Sequence, residues 1–332
     1  MTYVAVPDDK ARRLSFYLAL EEFLARHRNQ GEDLFFVWQV QPSVIFGRNQ
    51  LIENEVNLDY CRKHGIQTYR RKSGGGCVYA DMGNVMLSYI TRTDNVQFTF
   101  HRYIQLVLKV LRDIGIEATT SGRNDVLVDG RKVSGNAFYH IPGHAIVHGT
   151  MLYDTCMEHM VGAITPSNDK LRSKGVESVR QRIALLKDYT SLSLEEFKAS
   201  VRQNMCRHET TLTPEEMRAV AELEQEYLSD EFIYGHNPRY TICRRGHIGG
   251  VGEMEISLEV KNGIIKTADI KGDFFLIGDI EQQLLRHLRG ARLTADALRQ
   301  ALPEHLDDII YNLKTEDLIN LLTNYGKENL PL

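Results

Sequence analysis

An α+β fold is what this 332-residue sequence predicts: a large domain of mixed or antiparallel sheet flanked by helices, followed by a small α+β domain. Three observations carry the prediction. Strand-length and helix-length apolar patterns follow one another without the regular βαβ repeat of a doubly wound sheet. The chain is longer than the roughly 250–300 residues at which a single hydrophobic core stops growing. Its composition, 42% hydrophobic and 25% charged, is that of a folded globular protein and too apolar for a disordered one.

The elements can be placed in order. Phe16, Leu20, Phe23 and Leu24 recur at helical spacing and predict a helix from Leu14 to Leu24, with strands to follow over Leu34 to Val40 and Ser43 to Phe46. Strands are expected around Val78 and Tyr79 and from Val85 to Ile90. Tyr103, Leu106, Val107, Val110 and Leu111 mark a long helix that Gly115 can terminate. Three short strands are expected near Val126 to Val128, Lys132 to Phe138 and His144 to Leu152. From about Ser167 to Arg202 the chain turns helical and basic. The stretch Tyr234 to Gly250, rich in Gly and broken by Pro238, reads as a connection and divides the chain into domains 1–245 and 246–332. Beyond it, Met254 to Val260 and Ile264 to Ile270 flank Lys261-Asn262-Gly263, a hairpin signal because Asn-Gly accepts positive φ angles. Helices are expected over Ile280 to Leu288, Ala295 to Leu302 and Thr315 to Asn324.

Net charge and cysteine usage narrow the function classes. A formal charge of -4 and a pI near 6.3 supply no positive field to hold a polyanion, so general nucleic-acid binding is not expected. Five scattered cysteines with no CxxC pair suit reduced thiols in a reducing compartment better than a disulfide framework or a zinc site. The N-terminus lacks a secretory pattern, and no apolar run approaches the ~20 residues that span a bilayer. These features predict a cytoplasmic protein with no membrane partner.

Chemistry concentrates in three stretches. The first is RRKSGGGCVYAD, Arg70 to Asp81. A flexible turn is its bland reading. Three consecutive glycines beside Arg70, Arg71 and Lys72 instead suggest main-chain amides and guanidinium donors converging on one anion. Neither a Walker A nor a GxGxxG spacing is present, so the cradle is of another kind. Cys77, beside the glycines, has no neighbouring base in sequence and reads as a small buried thiol. The second stretch is Gly122 to Phe138, where Asn124 and Asp125 precede a strand and the Asp129-Gly130 turn returns the chain to Lys132. A lysine near a turn is commonly a solvated charge. Here Val133, Ser134, Gly135 and Ala137 make a small-residue strand beside which a long cation can enter a cavity and neutralise a carboxylate or a phosphate. Asp125 is a candidate ligand for a hard cation such as magnesium, with turn capping as the alternative. The third stretch spaces His140, His144 and His148 four apart, but Pro142 and Gly143 disfavour a metal-binding helix. His148-Gly149-Thr150 reads as a strand end returning polar groups to the same cavity.

With these residues in hand, the chain resembles the lipoate-protein ligase A family from about the first helix to the C-terminal helices. The motifs that carry the resemblance are Arg70 to Asp81, Gly122 to Asp125, Arg131 to Gly135, His148 to Thr150 and a KGxxSVRxR segment at Lys174 to Arg182. The resemblance implies a biotin/lipoate ligase-like fold and a reaction in which ATP, with Mg2+, activates lipoate to lipoyl-AMP before the lipoyl group passes to a carrier lysine. It implies nucleotide contacts from Arg71, Gly74, Gly75, Gly76, Cys77, Val78, Tyr79, Asn124, Asp125, His148 and Thr150. Lys132 would hold both the carboxylate and the acyl-phosphate junction. Leu20, Glu21, Trp38, Arg48 and Ser73 would line or border the lipoyl site, although Trp38, the only tryptophan, also suits core packing. The segment Lys174 to Arg182 would fold over the adenylate.

The acceptors implied are lipoyl-carrier proteins, namely the glycine cleavage H protein and the E2 subunits of 2-oxoacid dehydrogenases, met by a monomer. Lys72 stands where members often have Ser, and Cys77 where Ala is common. An octanoyltransferase working without ATP is the nearest rival, and one group of those enzymes needs a cysteine where this chain has Gly122 to Asp125.

Overall fold

The structure, a computed structural model, describes residues 1–8, 10–28, 31–50, 52–93, 95–121, 124–164, 181–234, 242–261 and 263–323. Two compact units emerge. The first comprises Met1–Arg48, Ile52–Ser73 and Cys77–Gly235, and the second Asn49–Leu51, Gly74–Gly76 and His236–Leu332.

The first unit is built on a mixed sheet of eight strands among the described residues, in the order β11-β1-β2-β6-β10-β9-β8-β7. The strands are β1 (Thr2–Ala5), β2 (Leu34–Trp38), β6 (Asn84–Thr91), β7 (Thr119–Thr120), β8 (Asp125–Val128), β9 (Arg131–Ile141), β10 (His144–Leu152) and β11 (His208–Thr211). A smaller sheet sets β3 (Ser43–Phe46) between β4 (Gln67–Arg70), parallel to it, and β5 (Val78–Ala80), antiparallel to it. In β6 every residue is buried, because helices cover both faces of the large sheet. On one face lie α1 (Leu14–Phe23) and α5 (Pro214–Leu228), sharing a core with Leu34, Phe36, Trp38, Met86, Tyr139 and Ile146. On the other lie α3 (Val96–Asp113) and α4 (Leu194–Met205), where Phe100 meets Phe138 and Tyr103 stacks on Tyr89. A further helix, α2 (Leu58–His64), starts at an Asn57 cap whose side chain accepts from the Tyr60 N–H and ends at Gly65 with φ 65°.

Two hairpins order the strands that matter most below. β9 and β10 pair antiparallel across Pro142-Gly143. Between β8 and β9, Asp129 and Gly130 both have positive φ, 50° and 71°, the requirement of a two-residue turn that follows strand twist.

The second unit has a three-stranded antiparallel sheet, β12 (Ile242–Ile248), β13 (Gly252–Lys261) and β14 (Ile264–Gly272). Met254, Ile256, Leu258, Ile265 and Ile270 pack with Leu284, Leu288, Leu298, Leu318 and Leu322 in a core of its own. The same unit includes the triple glycine: the Gly75 N–H donates to Phe274 O at 3.0 Å. A Cβ on Gly74 would stand 2.1 Å from that oxygen.

Most expected elements stand within a residue or two of their positions, with informative differences. The first helix continues through a wider turn from Leu24 to Arg28. The helix expected over Ile280 to Leu288 opens with a similar wide turn, Glu281–Leu285. The boundary expected at 245/246 lies within β12, whose residues Arg245 and Gly246 pair with Glu255 and Met254. Asn262, part of the expected hairpin turn, lies outside the described residues, while Gly263 has φ 75°. No helix among the described residues is long and apolar enough to cross a membrane.

A Cβ at Gly130 would meet nothing within 4 Å, so its replacement carries a backbone cost alone. Gly130→Ala should lower the urea midpoint by the equivalent of about 1 kcal/mol. An unchanged midpoint would show that the turn does not need its positive φ.

Candidate functional site

The face of the large sheet beneath α1 gathers the polar residues. Register places Asp125 beside Gly135, Gly135 beside Thr150 and Thr150 beside Met86, which makes one row across β8, β9, β10 and β6. The next row runs through Ala137, His148, Ser88 and Phe36. Side chains of one row share a face with those two residues along each strand, so a single surface carries Asp125, Thr150, His148 and Ser88. Its floor at β9 is made of Gly135 and Ala137.

Lys132 reaches this surface through a register shift between Val126 and Leu127 on the neighbouring strand. Its ammonium lies over Gly135 and pairs with Asp125 Oδ1 at 2.8 Å, and its side chain is 37% exposed. Cε and Nζ both stand 2.9 Å from where a Cβ of Gly135 would be, so the missing side chain is what admits the cation. Where the chain re-enters the described residues after 180, Ile183 bridges to Lys132 and the Ala184 N–H donates to Lys132 O at 2.9 Å.

A buried hydrogen-bond chain crosses the second row. Glu21, on α1, is wholly buried and His148 nearly so, and Nδ1 of His148 lies 2.9 and 3.0 Å from the two carboxylate oxygens. An ionised carboxylate only accepts, which puts the proton on Nδ1 and leaves Nε2 to accept from Ser73 Oγ at 2.7 Å. Ser73 Oγ accepts in turn from Arg71 Nε at 2.9 Å. From the other side, Ser88 Oγ donates to Glu21 at 2.5 Å and accepts from Trp38 Nε1 at 2.9 Å. The donors all point one way, from the Arg71 cation and the indole toward the Glu21 anion.

Several expected residues serve the framework in this structure. Arg71 is buried and also donates to Ile45 O at 3.1 Å. Arg70 donates to Ile233 O and to Arg48 O, and lies 4.5 Å over the Phe46 ring. Lys72 is bound by Glu22 and Glu226. The three cations expected to stand open to an anion thus brace their own loop, since partly buried charges must find partners. Arg48 contributes its backbone, its N–H donating to Ser73 O at 2.9 Å, while its side chain is exposed. Asn124 is locked with Asn136 by reciprocal side-chain bonds to main-chain oxygens at 2.9 and 3.0 Å. His148-Gly149-Thr150 sits mid-strand rather than at a strand end. There Gly149 turns to the opposite face, and a Cβ on it would collide with Asn136 Oδ1 at 2.0 Å. Leu20 and Tyr79 are core residues, and Val78 packs against the core from the partly buried β5. Trp38 is buried too, with its ring stacked on Tyr17 at 4.7 Å. Burial pushes the pKa of the half-buried Cys77 thiol above its ordinary range, which disfavours the thiolate. His140 is exposed on β9, apart from His148. Gly122, Arg123 and the Lys174 to Arg180 part of the basic segment lie outside the described residues.

Asp125 offers one carboxylate to a cation, and no group of three His, Cys, Asp or Glu side chains among the described residues is placed to hold a metal. A single carboxylate fits a magnesium ion whose other ligands are phosphate oxygens and waters, as is usual for nucleotide-bound magnesium.

Ser88, Glu22 and Asn136 escaped the sequence reading. Ser88 had a signal, being the one small polar residue inside the apolar run Val85 to Ile90.

Residues 14–206 match the family described as the lipoyl protein ligase A/B catalytic domain, and residues 237–322 match the bacterial lipoate protein ligase C-terminus. A lipoate-protein ligase of Bacillus subtilis is 34% identical over 323 residues, 92% of this chain and 95% of that protein. Among solved structures, a bipartite lipoate protein ligase from Thermoplasma acidophilum, reported with its E2 lipoyl domain, superposes with a TM-score of 0.66 at 26% identity, covering 73% of this chain and 98% of that one. LipL1 of P. falciparum, solved in complex with lipoate, shares the fold over 96% of this chain and 97% of its own, with a TM-score of 0.74 at 22% identity.

Two predictions come from this geometry. Gly135→Ala should displace the Lys132 head at little cost to the fold, because the clash falls on the free end of a flexible side chain. Activity that depends on Lys132 should then drop about tenfold with the melting temperature nearly unchanged, and full activity would mean that the ammonium need not lie over Gly135. The second concerns Glu22. Burial raises its pKa, but bonds from Lys72, Arg26 and Tyr227 outweigh that and hold it below the ordinary 4.5. A depressed folded pKa contributes stability above 4.5 that is lost as pH falls through the folded value. Urea unfolding should therefore show wild type more stable than Glu22→Gln at neutral pH, with the gap closing below 4.5. A gap that persists unchanged in strong acid would contradict this.

Proposed function

The chain belongs to the lipoate-protein ligase family and carries the activity for which the family is named, and from that premise we propose that the Lys132 face of the sheet is where a lipoate carboxylate is joined to ATP. The observation that carries the reading is the ammonium of Lys132 held over a floor without side chains, between Asp125 and Thr150.

In the first step a carboxylate oxygen of lipoate attacks the α-phosphorus of ATP, the bond to the bridging oxygen breaks, and pyrophosphate leaves. Lys132 neutralises the carboxylate as it approaches and then the acyl-phosphate oxygen of lipoyl-AMP, a fixed charge that needs no reorganisation as the reaction proceeds. Its pairing with Asp125 keeps the cation in place before substrate arrives. Asp125 would hold magnesium, which supplies charge neutralisation to the triphosphate. Arg71, the Gly74 to Gly76 amides, Cys77, Val78, Tyr79, Asn124, His148 and Thr150 are assigned to the nucleotide. The Gly75 amide must exchange its bond to Phe274 O for a phosphate oxygen in that role. Leu20, Glu21, Trp38, Arg48 and Ser73 are assigned to the lipoyl side.

In the second step a neutral lysine amine attacks the acyl carbon and AMP departs, leaving an amide. The acceptors we assign are lipoyl domains of the glycine cleavage H protein and of 2-oxoacid dehydrogenase E2 subunits, met in the cytoplasm. An acyltransferase that dispenses with ATP would need a reactive thiol, and the raised pKa of Cys77 does not favour one there.

Pyrophosphate release from ATP should depend on lipoate and should continue to a lipoylated carrier domain. Lys132→Ala should lower adenylation by about 10²–10³ while the fold persists, since the Asp125 it leaves behind is partly exposed to water. Near-normal adenylation by that variant would remove Lys132 from the mechanism, and carrier modification without nucleotide would favour the acyltransferase.

A further inference from the structure

α1 presents two consecutive carboxylates to the loop that follows β4. Glu21 reaches Ser73 through His148, as described above. Glu22, 2% exposed, accepts from Lys72 Nζ at 2.8 Å. It also accepts from Arg26 Nη2 at 2.7 Å and Tyr227 OH at 2.9 Å. Lys72 meets a second carboxylate, Glu226 on α5, at 2.8 Å, and its ammonium lies 4.9 Å from the Tyr227 ring centroid. Three successive loop residues are thereby tied to four different elements: Arg71 to β3, Lys72 to α1 and α5, Ser73 to β10.

We infer that Lys72 is a positioning residue, clamped between Glu22 and Glu226 so that the Arg71 to Ser73 loop is rigid before nucleotide arrives, and that it thereby sets the affinity for ATP. The inference rests on the assignment of this loop to the nucleotide. A loop ordered in advance loses less freedom on binding, and that saving appears in affinity rather than in the chemical step.

The clamp can be removed without unfolding the loop, since Arg71 and Ser73 remain anchored on either side. The test compares wild type with Lys72→Met and with Lys72→Arg, which keeps the charge. Amide hydrogen exchange is followed over residues 70–77 of the free protein, and KM for ATP is measured by pyrophosphate release. Lys72→Met should exchange about tenfold faster in that segment and raise the ATP KM about tenfold. Its kcat should stay within about twofold, and Lys72→Arg should restore both exchange and ATP KM. Unchanged exchange in Lys72→Met would overturn the clamp. Faster exchange with an unmoved ATP KM would keep the clamp and remove the loop from the nucleotide site.

Discussion

A carboxylate sealed from water destabilises a fold unless its charge is met from inside, and Glu21 is wholly buried. The protein meets that charge with His148 and Ser88, and behind them with Ser73, Arg71 and Trp38. Much of the first unit follows from this constraint. It fixes α1 over the middle of the sheet and selects the histidine tautomer. It also draws Ser73 to the row next to that of Gly135. A network so fully satisfied specifies one arrangement, because shifting any member strands a buried donor or acceptor.

The same logic explains why the motifs have the residues they do. In His-Gly-Thr, the histidine and threonine face the polar surface while the glycine faces away and leaves room for Asn136. In Arg-Lys-Val-Ser-Gly, the lysine and glycine are partners, one supplying a cation and the other the space in which it lies. The two arginines before the serine are braced by main-chain oxygens, one buried against β3 and one holding the main chain at Arg48 and Ile233.

Much of this was legible in the sequence, for physical reasons. Strands such as Ser43–Phe46 and His144–Leu152 are apolar runs bounded by turn residues, and local pattern suffices to place them. Motif spacing exposed the glycine run, Lys132, Asp125 and His148. Long-range pairing was not legible. Glu21 and His148 are 127 residues apart and Lys72 and Glu226 154 apart, and nothing in either local sequence announces its partner. Fates decided by such pairing, as for Arg71 and Lys72, could only be guessed from charge, and a cation next to glycines suggests an open anion site as readily as a brace. β12, whose burial alternates between half-buried and exposed, carries no apolar run that would have announced it as a strand.

The account's central claim is that activated acyl phosphate forms over Gly135 under the charge of Lys132. A crystal structure with a non-hydrolysable acyl-sulfamoyl adenosine tests it most directly. The account predicts the sulfamoyl group above Gly135 with Lys132 Nζ about 3 Å from its oxygens. An analogue bound away from that row, with Lys132 still closed on Asp125, would contradict it.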